Sequence, residues 1–345
     1  MKKLTKLGQY LRKKREDKGL SRKQVSDRML EEARITASTV GQIERGEIKR
    51  PPESRLAEFA RILKVSLAKL KSFIVGTLLP VVIAWFSCGI TSAVACKIAL
   101  EKYGPEQVKL VCIDAGANQA ENTRFKSECE RWYSQITGQK VEIITVKNED
   151  GYVDHWDVIA KTNYLNGVNG ARCTTELKRK VNRLVYKIFP NRVKEVFGFD
   201  ATETKRAEDF LARKDIDGNS NTDKQPEFPL IDQQLTKANC MYIAEQAGIK
   251  LPENYNFFCN NNCLGCVKGG IGYWNQIRRT NPDVFDRMAR EERRIGHALN
   301  RQSVNGKRRP VFLDELDPEA GRQETVIHPQ APDCPVFADT FAKVS

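Results

Sequence analysis

Three cysteines fall within eight residues in "CNNNCLGCVKGG": Cys259, Cys263 and Cys266. Cys263 and Cys266 make a Cys-x(2)-Cys pair. Leu264-Gly265 between them allows the tight turn that brings two thiolates to one metal. Zinc and iron–sulfur clusters both use such a pair. The chain holds ten cysteines. Cys88, Cys96, Cys112, Cys129 and Cys240 lie in or beside apolar stretches and read as small buried hydrophobes, although Cys88 is in a loop. Cys173, Cys259, Cys263, Cys266 and Cys334 sit in polar, Gly/Asn-rich or Pro-rich stretches and read as metal ligands or reactive thiols. Lys268, beside the pair, suits stabilisation of an anionic substrate. His155, His297 and His328 stand outside ligand spacing and receive no metal role.

These residues need a scaffold, and the pattern from Val81 onward supplies one. "VVIAWF" is a continuous apolar run, as a buried parallel strand should be. "SCGITS" follows, then a helical stretch, a strand "VKLVCIDAG", a second helix and a strand "VEIITV". Alternation of this kind predicts an α/β fold with a doubly wound, mostly parallel sheet over residues 81–250. A Cys-containing lobe is expected over 251–345. Ligands bind such sheets at the carboxyl ends of strands. Ser87, Cys88, Gly89, Thr91 and Ser92 form a small-residue loop opening a helix, where backbone N–H groups can cradle a phosphate. The loop is not a Walker P-loop, because it lacks the G-K-[ST] ending. Asp114 ends the second strand, where it can meet a ribose or a metal-bound water, or simply cap. Lys178 and Arg206 offer charge-assisted bonds to phosphate or sulfate. In the C-terminal lobe, Trp274, Ile277, Val284, Phe285 and Met288 form a stripe beside many arginines. It reads as core plus a solvated face, with nucleic-acid contact as the rival.

The net charge of +13 is unevenly placed. Residues 1–72 hold 20 Lys/Arg against 9 Asp/Glu, and the remainder holds 37 against 35. Concentrated positive charge suits a polyanion, through counterion release at phosphates. The same segment has helical periodicity: Leu7, Tyr10 and Leu11, then Val25 and Met29 behind a Ser21 cap. Val40 and Ile43 follow, then Leu56, Phe59, Ala60 and Leu63 after Pro51-Pro52. A small all-α domain is expected over 1–72, with a linker over 73–80.

"LSRKQVS", "STVGQIERGE" and "LAEFARILKVSLAKL" resemble the Cro/repressor-like (XRE-type) helix-turn-helix family. Its departure is a long turn, "MLEEARIT". The resemblance implies binding to double-stranded DNA as a homodimer. It places Ala37, Ser38, Thr39 and Gln42 in the major groove and Ser21, Arg22, Lys23 and Arg45 on phosphates.

Five further segments, in order, resemble the phosphoadenosine-phosphosulfate (PAPS) reductase and ATP-pyrophosphatase (PP-loop) superfamily. They are "FSCGITSAVA", "VCIDAGANQAENTRF", "GARCTTELKRK", "GFDATETKRAEDF" and "FPLIDQQLTKANCMYIAEQAGIKLP". The resemblance implies an adenine nucleotide alpha-hydrolase-like, Rossmann-like fold binding ATP or an adenylylated nucleotide, with or without Mg2+. It puts Ser87, Cys88, Gly89, Thr91, Ser92, Asp114 and Arg206 at the nucleotide. In the adenylylsulfate reductase branch, a cysteine before the Lys178 position joins a later Cys-x(2)-Cys to hold a [4Fe–4S] cluster. Cys173, Cys263 and Cys266 match those places, with Cys334 the first choice for fourth ligand and Cys259 the second. A structural Zn2+ is the alternative occupant. Cys173 can instead serve as nucleophile or persulfide carrier, and Cys173, Lys178 and Lys268 are the expected catalytic group. Cys88 replaces a family glycine, Thr91 replaces an aspartate, and the family's Glu-Cys-Gly redox tail has no counterpart.

The expectation is therefore a DNA-tethered enzyme of nucleotide-dependent sulfur-transfer or redox chemistry, served by a sulfur or electron donor protein. The rival is a transcriptional regulator whose reductase-like domain senses nucleotide, redox state or metal. A DNA-modification or defence role is the third option. The longest apolar run, "FIVGTLLPVVIAWF", is too short for a membrane span and is broken by Gly76 and Pro80. The basic N-terminus has no apolar stretch behind it, so a cytoplasmic location is expected.

Overall fold

A computed structural model describes residues 5–49, 51–75, 80–116, 119–168, 170–304, 307–322 and 325–332. The chain divides into two compact units, Met1–Val81 and Val82–Ser345.

The first unit is helical. Thr5 caps α1 (Lys6–Asp17), its hydroxyl accepting from the Gly8 amide at 3.1 Å. Ser21 caps α2 (Arg22–Asp27) through a reciprocal box with Gln24. Thr36 caps α3 (Ala37–Glu44). Then come α4 (Glu53–Leu63) and α5 (Leu67–Val75). Leu7, Leu11, Val25, Met29, Val40, Ile43, Leu56, Phe59 and Leu63 fill one core, as their periodicity predicts. α1 approaches the end of α3 so closely that a Cβ on Gly8 would collide with the Glu44 carbonyl oxygen.

The second unit is built on a five-stranded sheet of order β3-β2-β1-β4-β5. The strands are β1 (Val81–Trp85), β2 (Val108–Ile113), β3 (Ile143–Val146), β4 (Arg192–Val196) and β5 (Pro226–Glu227). β1 pairs with β2, β2 with β3 and β4 with β5, all parallel. The chain winds outward from β1 to β3, then crosses back to β4 beside β1. A crevice opens at the carboxyl ends of strands where winding reverses in this way. Helices α6 (Ile90–Tyr103) and α7 (Gln119–Thr137) make the first crossovers, followed by α8 (His155–Thr162). Next comes α9 (Arg172–Thr174), a π-helical turn (Thr175–Arg179) and α10 (Lys180–Ile188). α11 (Thr204–Leu211), α12 (Pro229–Asp232) and α13 (Lys237–Gln246) complete the sheet layers.

α14 (Ile271–Thr280) and α15 (Pro282–Ile295) lead to an antiparallel ribbon, β6 (Asn300–Val304) and β7 (Lys307–Val311). Trp274, Ile277, Phe285 and Met288 are buried here, with Val284 packed against them, so the aromatic stripe is core and not a nucleic-acid face. That core also takes Ile159 from α8 and Ala171, next to Cys173. No helix among the described residues is long and apolar enough to cross a membrane.

Candidate functional site

One cavity of about 860 Å3 lies at the carboxyl ends of the strands. Ser87, Cys88, Gly89, Thr91, Ser92, Asp114, Cys173, Lys178, Arg206, Cys263, Cys266 and Lys268 all line it. They come from segments up to 181 residues apart, brought together by the sheet order. Cys334 lies outside the described residues. Cys259 does not line the cavity; its sulfur receives the Asn260 side-chain amide at 3.2 Å.

The loop after β1 is held from within. Ser92 Oγ accepts from the Ser87 amide at 3.0 Å and the Ser87 hydroxyl at 3.1 Å, and donates to the Gly89 carbonyl at 2.7 Å. A hydroxyl has one donor and two acceptor sites. Ser92 therefore holds the loop rather than offering a group to a ligand, while Ser87 stays exposed. Tyr255 Oη takes the Ile90 amide at 3.0 Å. Asn261, inside the cysteine motif, donates to the Cys88 carbonyl at 2.6 Å. Behind the loop, a Cβ on Gly198 would stand 2.5 Å from Ser92 Cα, so only glycine fits that crossing. Cys88 occupies left-handed backbone, φ 58°, at the position where the resemblance expects glycine. L-residues other than Gly, Asn and Asp rarely adopt that conformation. Its sulfur lies 3.7 Å from Cys112 Sγ.

The polar walls differ in how committed they are. Asp114 accepts from the Gly116 amide at 2.8 Å and pairs with Lys147 at 3.1 Å, so it caps its own turn. Arg206 pairs with Glu203 and stacks on Phe199, 4.3 Å from the ring centroid. Lys178 sits on the π-helical turn, a distortion frequent at functional sites. Lys178 and Lys268 are exposed, and both act electrostatically on Cys173.

The cysteine end is more enclosed. Burial, then the neighbouring Cys266 and Cys263, push the Cys173 thiol up to about 11, against Lys178 and Lys268. Burial also raises Cys263, with Lys178 opposing. Tyr273 Oη wraps the Cys-x(2)-Cys turn: it accepts from the Gly265 and Cys266 amides at 2.9 and 3.1 Å and donates to the Cys263 carbonyl at 3.1 Å. Gly265 has φ +79°, and a Cβ there would stand 2.9 Å from Trp156. His155 lines the same cavity and is 4% exposed. Burial holds its imidazole below the ordinary range, with Asp154 opposing. Among the described residues, no group of three His, Cys, Asp or Glu side chains is placed to hold a single metal ion. Tyr255, Asn261, Tyr273 and His155 were not marked by motif or spacing; the "GYW" after the cysteines was the one local cue, and it reads equally as core.

In the first unit, the long turn between α2 and α3 is firmly built. Its middle is a 3-10 turn, Glu31–Ala33. Ser26 Oγ donates to the Ile35 carbonyl at 2.5 Å, and Glu58 on α4 receives the Leu30 amide at 2.9 Å. Arg61 reaches the Arg28 carbonyl at 2.6 Å. Beneath the turn, buried Glu44 receives Arg15 Nε at 2.5 Å and Arg22 Nε at 2.8 Å. Arg22 is thus tied inward, and Arg45 pairs with Glu47 at 2.9 Å. Ser38 and Lys23 are exposed, and Ala37, Thr39 and Gln42 are half-buried.

This arrangement defines a helix-turn-helix DNA-binding domain. Residues 6–73 match the helix-turn-helix domain family. No curated protein matches the chain.

Proposed function

We propose that the second unit is a PAPS reductase-like, PP-loop-type enzyme. It binds ATP or an adenylylated nucleotide and carries out sulfur-transfer or redox chemistry beside a cysteine-held metal centre, tethered to DNA by the first unit. The observation that carries this reading is the cavity at the strand ends, shared by the Ser87–Ser92 loop, Lys178, Lys268 and three cysteines. The phosphate would lie over the loop and the first turn of α6, whose amides lack carbonyl partners inside the helix. Ser87 and Thr91 would add hydroxyl contacts, and Ser92 and Asn261 keep the loop in shape. Lys178 and Lys268 would meet the anionic end of the substrate. Arg206 joins them when it leaves Glu203.

Cys173, Cys263 and Cys266 would hold the centre. The cavity they share is the ground for that reading. A [4Fe–4S] cluster is the first reading of the occupant and Zn2+ the alternative, since Cys-x(2)-Cys pairs serve both. When bound it would supply electrons or a site for sulfur near the nucleotide. A homodimer on paired half-sites follows from the helix-turn-helix class.

A regulator that only senses nucleotide or redox state is the second reading. It is favoured by Thr91 standing where the family has aspartate and by Arg206 held on Glu203. Anaerobic purification, iron, sulfide and zinc measurement, and pyrophosphate release from ATP with and without DNA separate the two. Iron and sulfide with pyrophosphate release support the enzyme. Nucleotide binding without turnover supports the regulator.

A further inference from the structure

Between Glu292 and Asp314 the chain holds no acidic residue and six Lys/Arg. Two of the six are spent nearby: Arg293 pairs with Asp314 and Glu315, and Arg294 with Glu291. The other four, Arg301, Lys307, Arg308 and Arg309, lie on the β6–β7 ribbon, and all are exposed. The ribbon is a sheet of its own, with two strands. Opposed residues in an antiparallel pair share a face, and successive residues alternate. Gln302 opposes Arg309 and Ser303 opposes Arg308, so each face presents an arginine. A two-stranded ribbon wet on both faces gains little from burial and is marginal alone. This one is held at its root instead. Buried Glu292 accepts from the Leu299 and Leu313 amides, both at 2.6 Å, just outside the two strands. Leu299 and Val311 pack on the neighbouring core, and Arg293 lies 3.9 Å from the Phe312 ring centroid. The root is therefore fixed, and the nearest carboxylates in sequence are already taken.

We propose that the β6–β7 ribbon is a second surface for double-stranded DNA, contacting phosphates through Arg301, Lys307, Arg308 and Arg309. A duplex major groove, about 12 Å wide, admits a two-stranded ribbon. Strands of five residues extend about 16 Å, at about 3.3 Å per residue, so the ribbon spans a groove from one backbone to the other. Four clustered cations gain from counterion release at phosphates. Pairing with a strand of a protein partner fits less well, because β7 carries Pro310 and charged side chains, which keep further strands off a sheet edge. The choice of duplex DNA among polyanions rests on the helix-turn-helix class of residues 6–73, not on any nucleotide in the cavity.

The test uses the full-length protein and a fluorescent DNA duplex of random sequence, titrated at several salt concentrations. An RNA duplex of the same sequence and phosphatidylserine-containing vesicles are titrated beside it. Three variants are compared with wild type. One neutralises β7 (Lys307→Gln, Arg308→Gln and Arg309→Gln together). One keeps its charge (Lys307→Arg, Arg308→Lys and Arg309→Lys). The third neutralises three exposed lysines elsewhere in the second unit (Lys140→Gln, Lys205→Gln and Lys250→Gln). The neutralised ribbon should lower the slope of log K against log salt by about 2–3 and weaken DNA binding about tenfold or more. The other two variants should match wild type. Wild type that binds DNA, with the neutralised ribbon identical to it in slope and affinity, overturns the ribbon alone. Equal weakening in both neutralised variants overturns it in favour of net charge. Weakening confined to RNA or to vesicles overturns it in favour of that partner. Wild type that binds no duplex overturns the ribbon together with the helix-turn-helix reading. Circular dichroism and urea midpoints separate a lost contact from a lost fold. If the triple ribbon variant unfolds, Arg301→Gln alone decides, with an expected slope change of about 1.

Discussion

Tyr273 shows how much of the site rests on residues that do no chemistry. Its hydroxyl serves two amides and one carbonyl of the turn that presents Cys263 and Cys266. Tyr273→Phe keeps the ring and removes the oxygen, leaving those backbone groups unpaired in a buried place. The expected cost is about 1–3 kcal/mol of stability, read as a lower urea midpoint. Alkylation of Cys263 and Cys266 should quicken in the same variant, and unchanged alkylation would show that the turn holds its shape without the hydroxyl. Residue type and spacing marked Cys263, Cys266 and the Ser87–Ser92 loop, the resemblance added Cys173 and Lys178, and the fold brings all of them to one cavity. Tyr273, Tyr255, Asn261 and His155 were not legible. Tyr255 and Asn261 act across 165 and 173 residues of sequence, and such contacts leave no local pattern. Ser92 was legible as a loop residue but not as one whose hydroxyl is fully spent.

At the scale of elements, the alternation of apolar runs and helical stretches made the sheet and its crossovers readable. The π-helical turn Thr175–Arg179 and the 3-10 turn Glu31–Ala33 were not, since each shifts the period for only a few residues. The turn between α2 and α3 is a departure from the family pattern that leaves the helix angle open in the sequence, and in the structure Glu58 and Arg61 of α4 pin it. The "IERG" stretch was recognisable by type, and its physical reason is Glu44, 1% exposed beneath Arg15 and Arg22. Glu44→Ala takes from the buried Arg15 its closest carboxylate and leaves it only the Leu20 carbonyl and the exposed Glu16. The expected loss is about 3–5 kcal/mol in the first unit, measured as an earlier melting step and lost DNA binding. Glu227 ties β5 to Lys194 on β4 and to Lys102 and Tyr103 at the end of α6. Burial works against its ionised form, but these bonds prevail and hold the carboxyl at about 2, below its ordinary 4.5. The folded state therefore binds this proton more weakly than the unfolded state. The stabilisation is complete above about pH 4.5 and is lost as pH falls towards 2. In urea unfolding, Glu227→Gln should lie below wild type at pH 7, and the gap should close between pH 4.5 and 2. A gap that stays constant with pH would mean the carboxylate contributes nothing through its charge.

Across the whole molecule, charge and chemistry are divided between the units. Residues 1–72 carry 20 of the 57 Lys/Arg against 9 of the 44 Asp/Glu, while the cavity at the strand ends is lined wholly by residues beyond 81. This division was legible from the sequence, because counting needs no geometry. What the structure adds is which cations remain free for DNA. Arg22 is drawn onto Glu44 and Arg45 onto Glu47, so neither reaches a phosphate without giving up a partner. Lys23 is exposed at the start of α2, and Gln42 stands on α3. The two should fail differently. Lys23→Ala should weaken binding to all duplexes alike and lower the slope of log K against log salt by about 1. Gln42→Ala should leave that slope unchanged and cost about 1–3 kcal/mol on the preferred site only. A selected duplex and a scrambled one, titrated with the full-length protein at several salt concentrations, give both quantities. If Gln42→Ala instead lowers the salt slope and spares specificity, α3 lies along the backbone and not in the groove. The domain would then hold DNA by charge, and the sequence preference would have to come from shape.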